Sequence, residues 1–371
     1  MNLKANMRKW IVISVIFLIV ITAFRLLWLN YLATFDYSET IVVEEGVIDL
    51  RDLEFTDDQT LPLSGEWEFY PSQHIHPDEF ESTEKLSTYK KVLLETPNNW
   101  GGAFSEESLE SFRYGTYRLK ILLGDEREKS FAFRVNQIRN ASEVFINGES
   151  VHKDGQPAMK SELHEARNLP YSVYVEPNQS EIDLVIHVSN HTFIGEGGIT
   201  EAIRFGTAEA IDFRTSLSVG LQLLLCIVLL IHGLYGLILF FLGGRNRGLL
   251  YFSIIIVCAL ISVLVSDDKL LFVWFDFPFE WQMNAIYLSY IGAAAFIPFM
   301  IKNLISNSKQ EKIMRWFAIY CILFALIVLV TPYSFVPSIL RFMLSIVIGF
   351  SLALSIKILV KGLRIVKISF F

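Results

Sequence analysis

Residues 217–242 read LSVGLQLLLCIVLLIHGLYGLILFFL and begin an almost continuously apolar block that extends to residue 361. Each apolar run in this block is near the roughly 20 residues that a helix needs to cross about 30 Å of hydrocarbon. Lipid offers the backbone no hydrogen-bond partners, so runs of this composition are expected to be helices. The block therefore predicts a five-helix transmembrane bundle. Its four further apolar runs lie at residues 248–266, 283–301, 316–331 and 338–360.

A sixth apolar run, at residues 10–32, lies close to the N-terminus. Basic residues precede this run and acidic residues follow it. This order predicts a cytoplasmic tail at residues 1–9, an uncleaved transmembrane anchor at residues 10–32 and export of the chain that follows. A cleaved signal peptide is the alternative, because Arg25 interrupts the run. The sequence before residue 35 has no clear small-residue cleavage site, which favours the anchor. Either interpretation exports the next segment.

The connections between the later runs alternate in charge. If the chain enters the block from outside at residue 217, groups of basic residues fall in every second connection and in the tail at residues 362–371, on the side assigned to the cytoplasm. The connection assigned to the outside between the second and third runs instead holds Asp267, Asp268, Lys269, Asp276 and Glu280. The sequence thus predicts a multi-pass protein of the plasma membrane with both termini in the cytoplasm and residues 35–213 outside. The basic residues of these connections and of the C-terminal end are Arg245, Arg247, Lys302, Lys309, Lys312, Arg315, Lys357, Lys361, Arg364 and Lys367.

The predicted exported segment is strongly acidic. Residues 35–213 hold 34 of the 39 acidic residues and 15 of the 32 basic ones, a net charge of −19, whereas the rest of the chain carries +12. Cys226, Cys258 and Cys321 all lie in apolar runs, so no disulfide framework supports this segment. A segment of this length can hold its own hydrophobic core.

Short strand-like runs replace the long apolar runs in this exported segment. Several alternate apolar and polar residues, and turns rich in Gly, Pro, Asn and Asp separate them. Asn147-Gly148 directly after an apolar run predicts a β-hairpin, because both central residues must accept positive φ. Seven or eight such runs predict an all-β sandwich or jelly roll. The clearest runs are residues 65–70, 117–123, 130–135, 143–146, 172–175 and 182–188.

An ordered series of short motifs resembles a known fold. The series resembles the galactose-binding-like jelly roll, which also occurs as the non-catalytic sugar-binding domain of family 2 glycoside hydrolases. Followed by the helical block, it is similar to the bacterial seven-transmembrane receptors with diverse intracellular signalling modules. The motifs are LSGEWEF at 63–69, PNNW at 97–100, GTYRL at 115–119, ASEVFINGESV at 141–151, Gly155, VSN at 188–190 before Gly197-Gly198, and LLYF at 249–252 after a basic turn.

The resemblance implies a signalling function. In that family the exported jelly roll is expected to sense a ligand, with carbohydrate as the candidate class, and the helices carry the signal to a kinase, cyclase or phosphatase. This sequence has five bundle helices instead of seven and stops soon after Lys367. We therefore expect a truncated receptor that acts through a separate intracellular kinase or cyclase. The alternative is a truncated, non-signalling cell-surface ligand-binding protein. The odd helix count and the absence of internal repeats disfavour a transporter.

Candidate ligand-binding residues lie in loop-like segments of the exported domain. Aromatic faces beside amides and charges suit sugars, which stack on rings and hydrogen-bond through hydroxyls. The alternative is that Trp100 belongs to the core and the others are solvated surface. Trp67, on a strand, is expected to be core. The candidates are Trp100, Arg113, Tyr114, Asn190 and His191.

Polar residues in the bundle are the second group of candidates. An ionisable group in a membrane is costly and is a functional candidate by default. His232 and Arg341 meet this description, although Arg341 is near the outer end of its helix and can snorkel to the headgroups. Gly233, Tyr235 and Gly236 beside His232 suggest instead close helix packing through small residues.

Catalysis, metal binding and nucleic-acid binding have little support. Glu66 and Glu68 share one strand face, but a glycosidase needs two carboxylates across a substrate cleft, so we predict no enzyme activity. His74-x-His76 has no evident third ligand, so no metal and no cofactor are predicted. The basic connections are determinants of topology, so the lipid bilayer is the expected partner and nucleic acid is not.

Overall fold

The computed structural model describes residues 3–37, 41–104, 113–124, 129–175, 180–192, 197–304, 311–332 and 337–368. A β-rich domain follows one long helix and precedes a bundle of long helices. The strands are β1 Val47–Leu50, β2 Leu61–Pro62, β3 Gly65–Pro71, β4 Val92–Thr96, β5 Arg113–Leu123, β6 Phe131–Val135, β7 Ile138–Arg139, β8 Ala141–Ile146, β9 Glu149–Asp154, β10 Tyr171–Val175, β11 Glu181–Asn190, β12 Gly198–Ile199 and β13 Arg204–Thr207. The helices are α1 Leu3–Ala33, α2 Thr83–Leu86, α3 Ala208–Leu242, α4 Arg247–Val265, α5 Leu270–Trp274, α6 Phe279–Leu304, α7 Glu311–Val330 and α8 Pro337–Ile368.

The β-rich domain is a sandwich of two main sheets. Within the described residues, the larger sheet has seven strands in the order β4-β3-β5-β11-β8-β9, with β1 pairing parallel to β5. The smaller has four strands in the order β10-β6-β13-β2, and β7 pairs with β12 in a short ribbon. The prediction of an all-β sandwich domain followed by a helical bundle is confirmed. Alternating apolar residues of both sheets fill one core, which includes Trp67, Phe69, Tyr117, Phe133 and Phe205.

The hairpin that connects β8 and β9 turns where the sequence predicted it. Asn147 has φ 49° and Gly148 has φ 92°, so both central residues adopt the left-handed backbone that a tight hairpin requires. The strands pair antiparallel, and the register shifts by one residue between Val144 and Phe145. The turn thereby fixes which residues of β8 face the core.

The bundle is organised around α6. This helix packs against α4, α7 and α8, whereas α3 packs on α4. Among the described residues, six helices are long and apolar enough to cross a membrane, counting α1. The helix that was predicted to begin at residue 217 begins at Ala208, since the Thr207 hydroxyl accepts a hydrogen bond from the Ala210 N–H at 3.2 Å and caps it. Strand β13 therefore continues directly into α3.

Helix α1 touches the rest of the protein only near its C-terminal end, as far as the structure describes it. No residue of its Val15–Ala33 window is buried. Just beyond the helix, Phe35 contacts Phe213 with ring centroids 5.4 Å apart. The Asp36 carboxylate pairs with Arg204 at 2.5 Å and with Arg214 at 2.6 Å. These contacts hold the end of α1 beside the start of α3.

Candidate functional site at the domain–bundle junction

The β-sandwich rests on the connection between α4 and α6, and this contact is called the junction here. On the domain side it comprises Arg134, Asp154 and residues 164–169. On the bundle side it comprises residues 266–282, which include the short helix α5. Ala166 of the domain packs against the buried apolar cluster of the bundle. The domain and the bundle are therefore in direct contact at the junction.

A buried ion pair crosses the junction. Arg134 of β6 donates from Nη2 to Oδ1 of Asp268 at 2.8 Å, and the two side chains are 12% and 9% exposed. The other carboxylate oxygen of Asp268 accepts the Ser218 hydroxyl of α3 at 2.6 Å. Removing two charges from water is costly, so such a pair is stable only when further hydrogen bonds satisfy it. Asp268 thus ties the domain, α3 and the α4–α6 connection together.

Lys269 forms the second link across the junction. Its ammonium group, on a side chain that is almost completely buried, donates to the backbone carbonyl of Asn168. Burial lowers the pKa of Lys269 to about 8, although nearby Asp154 acts in the opposite direction. Lys269 and Asp267 both have positive φ, 48° and 50°. Non-glycine residues adopt this conformation rarely, so the contacts around Asp268 hold the connection in a strained shape.

A third link runs through Arg167. Its Nε lies 3.3 Å from the Asp154 carboxylate, and its Nη1 lies 3.4 Å from the Asp276 carboxylate of the connection. Asp154 is buried and also accepts the Leu169 N–H at 2.9 Å. Burial raises the pKa of Asp154 to about 6 in spite of these partners. One guanidinium is therefore shared between a buried carboxylate of the domain and an exposed carboxylate of the connection.

A cavity of about 370 Å³ lies beside these links. Its lining comes from both sides of the junction: residues 164–169 and Thr192 from the domain, and Phe272, residues 276–280 and Gln282 from the connection and the start of α6. Pockets for small ligands commonly have volumes of about 300–1,000 Å³. The cavity therefore has the volume of a small-ligand pocket, and residues of both the domain and the bundle line it.

Two polar groups that line the cavity have atoms without a hydrogen-bond partner among the described residues. These atoms are His164 Nε2 and Asn168 Oδ1, and both are buried. Burial, with nearby His191, lowers the pKa of His164 to about 4, so its imidazole is neutral at physiological pH. Buried polar atoms are nearly always satisfied in folded proteins. Since neither atom is accessible to water, both atoms are shielded from the cavity.

Trp100 lies in the core of the sandwich and not on a binding surface. It is 1% exposed, and its ring stacks on Tyr117 at an interplanar angle of 9° and contacts Phe69. The expectation that Trp100 stacks on a ligand is therefore replaced by the alternative that it is core. Arg113 is half-buried, lies over the Phe104 ring and donates to the Gly101 carbonyl at 3.0 Å. These contacts fasten the Trp100 turn to β5.

The remaining predicted ligand-binding residues lie at one end of the larger sheet. Arg113 and Tyr114 pair with Asn190 and Ser189 of β11. Asn190 is 1% exposed, and its side-chain oxygen accepts the Thr192 N–H at 3.0 Å, so it shapes the turn that follows β11. The Tyr114 ring instead contacts His74 on the outer face of the sheet.

His191 is the predicted ligand-binding residue nearest the cavity. Its ring contacts that of His164 at 4.9 Å, and the next residue, Thr192, lines the cavity. His164 Nδ1 lies 2.9 Å from the Ser189 hydroxyl. The structure thus gathers four predicted residues, namely Arg113, Tyr114, Asn190 and His191, around the ends of β5 and β11, but only His191 adjoins the cavity.

Four of the five predicted bundle residues lie on two faces of α3, and the fifth, Arg341, lies on α8. Gly233 and Gly236 are buried against α4, and a Cβ atom at Gly236 would lie 2.4 Å from Ser253 Oγ. His232 and Tyr235 are exposed on the outer face, where the His232 ring bonds the carbonyl of Val228 in its own helix. Arg341 is exposed near the start of α8. The glycines therefore allow close packing, and His232 lies outside that contact.

Sequence reasoning missed the residues that form the junction. The sequence indicated Asp268 and Lys269 only as charged residues of a connection outside the membrane. It gave no reason to single out Asn168. A lysine among acidic residues next to a membrane span was the available signal, but its partner lies 101 residues away in the chain. Among the residues that the structure describes, no group of three His, Cys, Asp or Glu is arranged to hold a metal ion.

An all-β domain joined to a bundle of long apolar helices defines the class of a multi-domain membrane protein. Residues 218–370 match the family model described as 7TM diverse intracellular signalling, so the predicted resemblance is confirmed. The helical part of the chain is therefore similar to the transmembrane region of this family. No curated protein matches the chain.

The β-sandwich is similar to β domains of solved glycosidases. A GH2 β-galacturonidase from Eisenbergiella tayi is 12% identical over 42% of this chain and 26% of its own, with a TM-score of 0.28. A β-glucuronidase from an uncultured Clostridium is 15% identical over 40% and 29%, with a TM-score of 0.30. The β-glucuronidase of Ruminococcus gnavus is 17% identical over 42% and 31%, with a TM-score of 0.29. The chain thus covers less than a third of the length of these enzymes.

Proposed function

We propose that this protein is a signal-receiving receptor of the plasma membrane. Its β-sandwich binds an extracellular ligand, and the bundle transmits the binding event to an intracellular partner without catalysis by the chain itself. The observation that carries this proposal is the junction, where Arg134–Asp268 and Lys269–Asn168 join the domain to the connection between α4 and α6. Buried charges that link two parts of a chain make the position of one part depend on the other.

The helices α4 and α6 connect the junction directly to the opposite side of the membrane. The connection joins α4 and α6, and α6 is the helix against which α4, α7 and α8 pack. At the far ends of α4 and α6, the Asn303 amide donates to the Asn246 side-chain oxygen at 2.8 Å. Asn246 also caps α4 by accepting the Gly248 N–H. A shift of the connection would therefore reach the turn at residues 243–246.

A ligand produces such a shift only if it binds one arrangement of the junction more tightly than the other. The strained backbone of the connection favours two arrangements, since release of the Asp268 and Lys269 contacts would also relieve the strain at positive φ. Carbohydrate is the ligand class that the resemblance implies. A separate kinase or cyclase is the partner that it implies, and basic residues at Arg245, Arg247 and Lys312 would face this partner.

The orientation rests on charge. The β-sandwich and residues 266–278 lie on one side of the bundle, whereas the basic turns lie at the other ends of the helices. Basic connections stay in the cytoplasm, so we place the sandwich outside. The second candidate function is a cell-surface ligand-binding protein that sends no signal. It requires the same orientation, but in it ligand binding does not change the packing of the bundle.

Hydrogen exchange in lipid nanodiscs separates the two candidates. The full chain is first screened against saccharides by thermal shift, since a ligand that binds the folded state raises Tm. The receptor predicts that the saccharide that raises Tm also changes amide exchange at residues 243–246. A rise in Tm with unchanged exchange there would instead favour the non-signalling protein.

A variant without the buried ion pair tests whether the effect of the ligand passes through the junction. Arg134→Met removes the buried ion pair, so the saccharide should still raise Tm but should no longer alter exchange at residues 243–246. The matched control is Lys120→Met, which removes an exposed pair with Glu181 on the larger sheet and should behave like the unchanged protein. Equal effects of the two variants would contradict transmission through the junction.

A further inference from the structure

We infer that residues 72–91, which connect β3 to β4, form a strap over the outer face of the larger sheet that two stacked histidines keep closed and that acid releases. This inference goes beyond the proposed receptor function and does not depend on it. Long connections are uncommon in compact domains, and many of them act as lids. Three observations carry the inference: the apolar contact of the strap with the sheet, its attachment by two imidazoles, and the burial of both rings.

The strap packs on the sheet through a small apolar cluster of its own. Ile75 and Phe80 of the strap bury their side chains against Tyr70 of β3, Phe145 of β8 and Val185 of β11. The rings of Phe80 and Tyr70 lie with their centroids 5.4 Å apart. None of these five residues belongs to the main core between the two sheets. The strap can therefore leave the sheet without opening the sandwich, as locally unfolding units of proteins do.

Two imidazoles attach the first part of the strap to β11. Nε2 of His74 in the strap donates to the Val188 carbonyl at 3.3 Å, and Nε2 of His187 on β11 donates to the Ile75 carbonyl at 2.7 Å. The two rings stack with an interplanar angle of 2° and centroids 4.8 Å apart. Each ring thus bonds the backbone next to the other ring, so the strap and β11 hold each other reciprocally.

Burial opposes a positive charge on either ring. Burial, followed by nearby His187, lowers the pKa of His74 to about 4, and burial also lowers the pKa of His187. Protonation of one ring places a cation in the stack, and protonation of both places two like charges side by side. Acid therefore favours the arrangement in which the rings separate and reach water.

The charged groups around the two rings do not reverse this direction. Glu143 of β8 attracts a proton to both rings, but its carboxylate already accepts the Ser150 hydroxyl at 2.9 Å and lies 3.7 Å from the Lys153 ammonium. Both histidines keep a lowered pKa in its presence. The other titratable groups near the rings are Tyr114 of β5, His191 after β11, Lys153 of β9, and His76 and Asp78 of the strap.

The closed strap becomes less favourable as the pH falls. The pKa of His74 is about 4 under the closed strap and near 6.5 when the ring is in water, so the closed form is favoured most above pH 6.5. The ratio of closed to open strap then falls about twentyfold between pH 7 and pH 5 through His74 alone, and His187 acts in the same direction. Release uncovers Tyr70, Phe145 and Val185, so an apolar face of the sheet becomes accessible in acidic surroundings.

Hydrogen exchange of the full chain in nanodiscs at pH 7 and pH 5 tests this release. Each exchange rate is divided by the rate of an unstructured chain at the same pH, which gives a protection factor. The reporter is the Ile75 amide, which donates to the Thr116 hydroxyl at 3.0 Å. Its protection factor should fall about twentyfold or more from pH 7 to pH 5. The protection factors of β6, in the smaller sheet, should stay constant.

Two histidine variants show whether the stack is the cause. His74→Gln keeps a neutral donor for the Val188 carbonyl, so the fall at Ile75 should shrink to a few-fold. His152→Gln is the matched control, because His152 is a half-buried histidine of the same sheet whose ring stacks on Tyr171 of the smaller sheet. It should show the same fall at Ile75 as the unchanged protein.

Three results would overturn the inference. Equal protection of Ile75 at pH 7 and pH 5 in the unchanged protein would do so without any variant. A fall that extends equally to β6 would show unfolding of the whole sandwich instead of release of the strap. Equal falls in His74→Gln and His152→Gln would exclude the histidine stack as the cause. None of these results concerns exchange at residues 243–246, so the strap and the receptor function are tested separately.

Discussion

Arg134 and Asp268 show how much one pair of side chains contributes to the joining of the two parts. The carboxylate satisfies Arg134 of the sandwich and Ser218 of α3 at once, so loss of either charge leaves the other buried without its partner. The backbone on both sides of Asp268 has positive φ and depends on these contacts. We therefore expect this pair to matter more than any exposed pair of the sandwich.

Substitution of Arg134 tests this expectation. Arg134→Met should lower the free energy of unfolding by about 3 kcal/mol, since breaking a buried pair strands a charge. Lys120→Met removes a pair with Glu181 whose side chains are 39% and 45% exposed, and it should cost about 0.5 kcal/mol or less. Unfolding titrations of the purified protein in mixed micelles measure both. Equal losses of unfolding free energy would show that the buried pair contributes no more to stability than the exposed pair.

His74 should make the domain sensitive to acid. Its ring stacks on His187 with centroids 4.8 Å apart, and burial, followed by the neighbouring imidazole, lowers the pKa of His74 to about 4. The unfolded chain binds this proton near pH 6.5, so the stabilising contribution is complete above that pH and is lost as the pH falls towards 4.

Replacement of His74 isolates its contribution to the pH dependence. His74→Gln should lose less stability than the unchanged protein between pH 6.5 and 4. Asp154, whose pKa is raised to about 6, acts with the opposite sign in part of this range, but it acts equally in both proteins. Melting temperatures at half-unit pH intervals measure the difference. Parallel curves would exclude His74 as a source of acid sensitivity.

At the scale of elements, the packing of α3 on α4 depends on small residues. A Cβ at Gly236 would lie 2.4 Å from Ser253 Oγ and 3.0 Å from a Phe252 ring carbon. The Ser253 hydroxyl donates to the Leu249 carbonyl at 3.0 Å, so its displacement costs that hydrogen bond as well. The two helices therefore approach as closely as a glycine permits.

Alanine substitutions at two glycines of the same helix test this packing. Gly236→Ala should lower the free energy of unfolding by roughly 1–3 kcal/mol through overpacking. Gly220→Ala is the matched control, since a Cβ there meets no atom within 4 Å, and helix propensity should stabilise it by up to about 1 kcal/mol. Unfolding in mixed micelles measures both variants. A loss at Gly220 as large as that at Gly236 would contradict the close contact with α4.

The elements that are specified locally are those that the sequence predicted well. Apolar length predicted the helices, alternation predicted β3, β5 and β11, and Asn147-Gly148 predicted the β8–β9 turn. The start of α3 was misplaced by nine residues, because its first turns, which contain Glu209, Asp212 and Arg214, are polar and lie beside the domain. Hydropathy detects the lipid-facing part of a helix and not its extension beyond the membrane.

Contacts between distant residues were the part that the sequence could not reveal. Trp100 follows two asparagines in what reads as a loop, yet Gly197 leaves room for its ring, since a Cβ there would lie 2.6 Å from the indole. Lys269 likewise reads as a solvated charge, although its partner is the Asn168 carbonyl. Both placements depend on segments that approach only in the folded chain.

For the whole molecule, the arrangement of charge and fold is the main result. A net charge of −19 lies in the segment that forms the β-sandwich, and the turns at the opposite ends of the helices are basic. The junction lies between them and combines buried charges, strained backbone and a cavity. This arrangement suits a protein that detects a molecule on one side of a membrane and responds on the other.

Cysteine labelling in intact cells tests this arrangement most directly. Leu163→Cys places a thiol on the exposed surface of the sandwich, and Lys312→Cys places one near the start of α7, at the opposite end of the bundle. A membrane-impermeant maleimide should label position 163 in intact cells and position 312 only after the membrane is opened. Labelling of position 312 but not of position 163 in intact cells would contradict the account.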